Sequence, residues 1–269
     1  MMKSDKPFGP VDQARRHALG ALGAVAGRLS LIAASSSLLT NCLIPADLAK
    51  NKNGSRQPHC FARGTHILTP GGEVCVEDLV IGDTLVTRDG PRRIKWIGRQ
   101  SLRKTVEADW HPNVAPVRVA RHALDEHTPH RDLYLSPSHA LFIDGVLIHV
   151  RHLVNEGSIA FACEEYQEEV EYFLVDLGVH SVIFAEGALA ETFRYAQGRV
   201  VCDNYEEYEA IYGAAREVMM PYAPVCYYSG GRAELAALFR LAVSCVYDVR
   251  DPIQVALDRL TRRAAALAA

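Results

Sequence analysis

Cys60, Ser136, His139 and His180 are residues of this chain whose types can carry out covalent chemistry together. Cys60 follows the polar stretch Asn51-Lys52-Asn53-Gly54-Ser55-Arg56-Gln57-Pro58 and opens the run Cys60-Phe61-Ala62-Arg63-Gly64-Thr65. A thiol that begins a domain can attack the carbonyl just upstream, here that of His59, if an imidazole protonates the departing amide nitrogen. The substrate of such an attack is the peptide bond between His59 and Cys60. A free thiol near neutral pH is only about a few per cent thiolate, so a base or a strained peptide must assist. His139, in Ser136-Pro137-Ser138-His139, is the candidate source of the proton, because histidine titrates near working pH. Ser136 is the candidate hydrogen-bonding group at the scissile amide.

Each of these residues has a plainer reading. A cysteine at the start of a strand is ordinarily a small buried hydrophobe. Ser-Pro-Ser-His is also a polar turn whose hydroxyls bond the backbone. His180, next to the strand pattern Ser181 to Phe184 that precedes Ala185-Glu186-Gly187, is equally a histidine satisfied at a strand edge.

The elements that must position these groups are short strands at regular spacing. The pattern predicts strands over Thr65 to Thr69, Val74 to Val76, Thr84 to Thr87, Arg93 to Ile97, Pro116 to Ala120 and Asp132 to Leu135. Asp144-Gly145, between Leu141-Phe142-Ile143 and Val146-Leu147-Ile148, marks a hairpin. Strands over Val170 to Leu177 and Ser181 to Phe184 complete an all-β core. After Phe193 the period changes: Tyr205, Tyr208 and Tyr212 recur at helical spacing, as do Leu235, Leu238, Phe239 and Ala242. Asp251-Pro252 reads as an N-cap followed by proline at the first helical position, with Ile253, Ala256, Leu257 and Leu260 along one face.

At 269 residues and 49% hydrophobic, the chain is long enough for one good core and an extra segment or two. A net charge of −3 with no concentrated basic face argues against a nucleic-acid partner. The seven cysteines form no CxxC pair and no zinc spacing, and their odd number leaves a thiol unpaired, for which Cys60 is the natural candidate. His122, His127 and His130, or His149 with His152, lack a second cluster at ligand spacing, so neither a metal nor another cofactor is expected.

Residues 1–59 carry eight Lys and Arg against three Asp. Arg15-Arg16, the weakly apolar run from Ala18 to Ala26, and Ala24-Val25-Ala26 before Gly27 read as a twin-arginine-like export signal. Leu39-Thr40-Asn41-Cys42 resembles a lipoprotein cleavage box, which would tether the chain to a membrane through Cys42. Arg28 interrupts the apolar run well short of the roughly 20 residues that a membrane-spanning helix needs. Export, membrane anchoring and a plain disordered leader on a cytoplasmic protein stay open as three readings.

The set Cys-Phe-x-x-Gly-Thr, Ser-x-x-His and Val179-His180-Ser181-Val182-Ile183-Phe184-Ala185-Glu186-Gly187 resembles the Hint family, shared by hedgehog autoprocessing domains, inteins and bacterial intein-like domains. The resemblance implies a mainly β fold: a Hint-like all-β domain of short strands and hairpins over 60–193, carrying a helical C-terminal tail over 194–269. Ahead of it lie a leader over 1–42 and a polar linker over 43–59. It implies an acyl shift from nitrogen to sulfur at Cys60, cleavage before Cys60, and a role for His180 in orienting the scissile peptide or the thioester. The partners so implied are the chain's own N-terminal segment as substrate and water, an amine or a thiol as thioester acceptor. No His-Asn pair follows Gly187, so ligation of the flanking segments is not expected, and no Asp lies around Arg92 to Gly98 to support sterol transfer. A non-catalytic binding or scaffold module on the same fold is the competing reading.

Overall fold

Side chains that alternate along a strand face opposite sides of its sheet, and in central strands such as Glu169–Asp176 both sides are largely buried. The computed structural model describes residues 59–104, 110–166, 168–196, 201–213, 216–226 and 251–268. The expected leader, the linker up to residue 58, Cys42 and the stripe Leu235, Leu238, Phe239 and Ala242 lie outside the described residues. Within them run β1 (Phe61–Ala62), β2 (His66–Thr69), β3 (Gly72–Cys75), β4 (Thr84–Thr87) and β5 (Gly90–Arg93). There follow β6 (Trp96–Arg103), β7 (Val117–Val119), β8 (Leu133–Leu135), β9 (Ala140–Ile143) and β10 (Val146–His149). The set ends with β11 (Ile159–Phe161), β12 (Glu169–Asp176), β13 (Val182–Ala185), β14 (Ala188–Glu191) and β15 (Val225–Cys226), with helices α1 (Tyr205–Tyr212) and α2 (Pro252–Ala268).

The strands form two sheets. One has the order β11-β7-β8-β1-β12-β6; the other runs β15-β10-β9-β14-β13-β2-β3, with β4 added to β13 and β5 to β4. Phe61, Ile97, Leu133, Leu135, Phe173 and Val175 share a large apolar cluster with Ile67, Leu85, Leu141 and Ile183 of the second sheet. The alternate residues of the first sheet, Cys60, Ala62, Trp96, Tyr172 and Leu174, build a second cluster on its other face. That face is covered by the chain after β14: Phe193, Tyr195, Cys202, Tyr205, Tyr208 and Tyr212 pack against it.

The tyrosine spacing is thus a helix, α1, with Tyr208 buried and its ring 4.9 Å from Trp96 centre to centre. Gly98 makes room for this arrangement, since a Cβ there would meet Trp96 Cη2 at 2.4 Å. Arg216 lies over the Tyr212 ring at 3.6 Å and pairs with the buried Asp176 at 3.1 Å. The Asp251 side chain accepts the Ile253 N–H at 3.0 Å and so caps α2, whose Ile253, Ala256 and Leu260 enter the main cluster. No described helix is long and apolar enough to cross a membrane.

The strand expected over Arg93 to Ile97 is two elements. Ile94 N–H bonds Asp83 O whereas Lys95 N–H bonds Asp176 O, so the chain changes sheets between these residues. A continuous apolar pattern conceals such a handover. β14 escaped the pattern because Ala188-Leu189-Ala190-Glu191 contains no β-branched or aromatic residue; pairing with β13 and β9 makes it a strand.

Candidate functional site

The register of β1 builds the centre of the site. Phe61 pairs with Phe173 on one side and Leu135 on the other, which sets Cys60 opposite Ser136 just beyond the end of β8. Cys60 N–H donates to Ser136 Oγ at 2.9 Å, and Ser136 N–H returns a bond to Cys60 O at 2.9 Å. The first of these N–H groups belongs to the peptide bond between His59 and Cys60. Pro137 then turns the chain, and His139 N–H closes the turn on Ser136 O.

β9 begins immediately afterwards and pairs Leu141 with Ala190 of β14, which brings Glu191 beside His139 and Ala140. The His139 ring is wholly buried, 4.4 Å from the Phe61 ring centre to centre, with Nε2 3.1 Å from Glu191 O. A carbonyl only accepts, so the neutral ring carries its proton on Nε2 and keeps the lone pair on Nδ1. Burial pushes His139 down to about 4, against an opposing pull from Glu191, so the ring is neutral at pH 7. Burial also pushes the Cys60 thiol well up, and Cys202 adds to the effect. Thiol and imidazole are thus both neutral at rest.

β13 pairs Val182 with Glu191, and the bond from Thr192 N–H to Ser181 O extends this ladder toward His180. His180 Nδ1 accepts the Tyr222 N–H at 2.9 Å, leaving Nε2–H to donate to Glu191 Oε2 at 3.1 Å. Glu191 Oε1 takes the Ala140 N–H at 2.7 Å and His59 Nδ1 at 2.6 Å. Burial by itself would raise this carboxyl, but the His59 charge and the hydrogen bonds from His180 and His59 outweigh it and hold the group well below the usual range. His149 stands edge-on to His59 at 5.7 Å and stacks on His152 at 6.1 Å; burial pushes them down to about 3 and about 4.

Of the four residues singled out, Cys60 and Ser136 meet at the peptide bond after His59, His139 follows on the turn from Ser136, and His180 connects to His59 through Glu191. Glu191 joins His59, His139 and His180 and was not among them. Its one sequence signal is a carboxylate in an otherwise small and apolar strand. Its partners are invisible until β14 is paired.

A second cluster escaped the spacing argument for metal ligands. His130 Nε2 lies 3.0 Å from Glu73 Oε1 and 3.5 Å from Glu186 Oε2, a group of three able to hold a cation. Arg131 stands 3.5 Å and 3.4 Å from the same two carboxylates and already supplies positive charge there. His122 and His127 are not in this group.

A family model described as the Hint domain matches residues 59–197. Among solved structures the chain is similar to the gp41-1 intein, at 12% identity and a TM-score of 0.35, over 49% of this chain and 97% of that one. It is also similar to the MchDnaB-1 intein, at 15% identity and a TM-score of 0.33, over 49% of this chain and 99% of that one. No curated protein matches.

Proposed function

Because this chain belongs to the Hint domain family, we propose that it processes itself by an acyl shift from nitrogen to sulfur at Cys60, cutting the bond between His59 and Cys60 without splicing. Cys60 Sγ attacks the His59 carbonyl carbon; the thiol gives its proton to water, and a proton reaches Cys60 N through His139 as the carbon–nitrogen bond breaks, so that one proton is lost and one gained. The product is a thioester joining the His59 acyl group to Cys60 Sγ, with a free amine on Cys60. Water, an amine or a thiol then takes the acyl group. His139 is neutral at rest, so it acts first as base and only then as acid.

The observation that carries this reading is the bond from the scissile N–H to Ser136 Oγ, on the turn that leads into the buried imidazole of His139. Ser136 holds the leaving nitrogen. His180 acts by orienting Glu191 and, through it, the scissile segment. A second reading, a Hint fold kept as a non-catalytic binding module, draws support from the complete burial and raised pKa of the Cys60 thiol.

One measurement separates them. A bulky domain is fused at Gly27, and the intact mass is followed with and without dithiothreitol. Self-processing yields fragments that end at His59 and begin at Cys60, faster with the added thiol because it exchanges with the thioester. A fusion that stays whole under both conditions overturns self-processing and favours the module. The N-terminal reading carries its own proposal: export, or anchoring at Cys42, gives a mature start at Gly27 or Cys42, whereas an uncleaved start denies both.

A further inference from the structure

We propose that Glu191 selects the residue on the acyl side of the cut, so that the site accepts a side chain at position 59 that presents an N–H donor, with an imidazole fitting it. This rests on the self-processing reading and adds the chemical class of the segment that is released.

Glu191 is 1% exposed, and its carboxylate takes N–H groups from three directions. Two belong to the fold: the Ala140 N–H on Oε1 and His180 Nε2–H on Oε2. The third, His59 Nδ1 at 2.6 Å from Oε1, comes from the segment that leaves. A carboxylate accepts only, so the atom facing it must carry hydrogen. An apolar residue at 59 removes a charge-assisted hydrogen bond from a buried carboxylate, and an acidic residue sets a second carboxylate against it. The Glu191 main chain meanwhile holds His139 Nε2 at 3.1 Å. One residue therefore positions both the acyl donor and the imidazole that must move its proton.

The test is a series of fusions carrying His59, His59→Gln, His59→Leu or His59→Glu, each in the native chain and in Glu191→Gln. Selection predicts that Gln cuts within about tenfold of His, while Leu and Glu are slower by more than about tenfold, the factor that a lost charged hydrogen bond carries. In Glu191→Gln the order compresses, and His59→Glu regains rate because the amide introduced by Glu191→Gln can donate to it. A structural role for Glu191 would not produce that crossed rescue. Equal rates across the native series, or the same ranking in both backgrounds, overturn the proposal; the native series suffices if Glu191→Gln does not fold.

A second measurement needs no cleavage. In the Cys60→Ala protein labelled with nitrogen-15, His59 gives a protected ring N–H signal that changes when Glu191 is replaced by Gln or Asp. Its absence overturns the clamp whether or not the chain cuts. Cleavage indifferent to residue 59 likewise removes the clamp and leaves self-processing standing, whereas a protected ring proton in an uncut chain does the reverse.

Discussion

The Cys60 N–H and the Ser136 hydroxyl are 76 residues apart in sequence and 2.9 Å apart in space, joined because β1 pairs with β8 in a register that sets Phe61 against Leu135. The bond ties the nitrogen of the scissile peptide to the turn that carries His139. Ser136→Ala leaves a buried N–H without that acceptor, at a cost of about 1–3 kcal/mol in stability. It should slow cleavage, while Ser136→Thr, which keeps the hydroxyl, should cut near the native rate. Fragment mass against time and urea melts in the Cys60→Ala background read the two effects. A Ser136→Ala chain that cuts as fast as the native one removes Ser136 from the mechanism.

Cys60→Ala should abolish the fragments altogether, because no other described thiol opens β1 beside the scissile bond. His139→Ala should slow them by roughly a hundredfold or more, in the range that positioned acid–base groups contribute. Intact mass after incubation with dithiothreitol decides both. Undiminished cleavage in His139→Ala would assign the proton transfer to another group.

Acid should destabilise the fold well above the usual carboxylate range. His139 is held at about 4 and His149 at about 3, against an ordinary value near 6.5 in the unfolded chain. Between those values the unfolded chain binds more protons, so stability rises with pH and is lost as pH falls from about 6.5 toward 4. The two buried rings together give a slope of at most about 2–3 kcal/mol per pH unit. Glu191, depressed in the fold, adds a loss of the same sign once the pH drops below about 4.3, its ordinary unfolded value. Urea midpoints of Cys60→Ala at pH 7, 6 and 5 should fall in step; an unchanged midpoint from 7 to 5 would contradict buried neutral histidines.

Gly98→Ala should open the aromatic cover over Cys60. The new methyl meets Trp96 Cη2 at 2.4 Å and Leu174 Cδ1 at 3.0 Å, so the indole must leave its place against Tyr208. Overpacking of this kind costs about 1–3 kcal/mol. Faster maleimide labelling of Cys60, alongside a lowered urea midpoint, is the expected result. Labelling at the native rate would show that the cover does not depend on the indole.

Asp251→Ala should cost about 1 kcal/mol, because the Ile253 N–H loses its side-chain acceptor at the start of α2. A denaturant midpoint in the Cys60→Ala background measures it. No change would mean that burial of Ile253, Ala256 and Leu260, rather than the cap, holds the helix end.

Much of the fold was legible in the residues, because alternation and helical spacing are local signals. The strand over Thr84 to Thr87, the hairpin at Asp144-Gly145, the tyrosine helix and the Asp251 cap lie where their patterns put them. Cys60, Ser136, His139 and His180 were singled out through the resemblance of their motifs to the Hint family, not through residue type or spacing alone. Glu191 was not, and its link to His59 spans 132 residues. That link depends on strand pairings that give no local sign, for β14 lacks the residues that mark a strand. Protonation was equally hidden: a histidine reads as a group titrating near neutrality, and only burial drives His139 to about 4 and raises the Cys60 thiol. Residue types are properties of the chain, but desolvation and hydrogen-bond partners are properties of its packing, and these set which proton sits where.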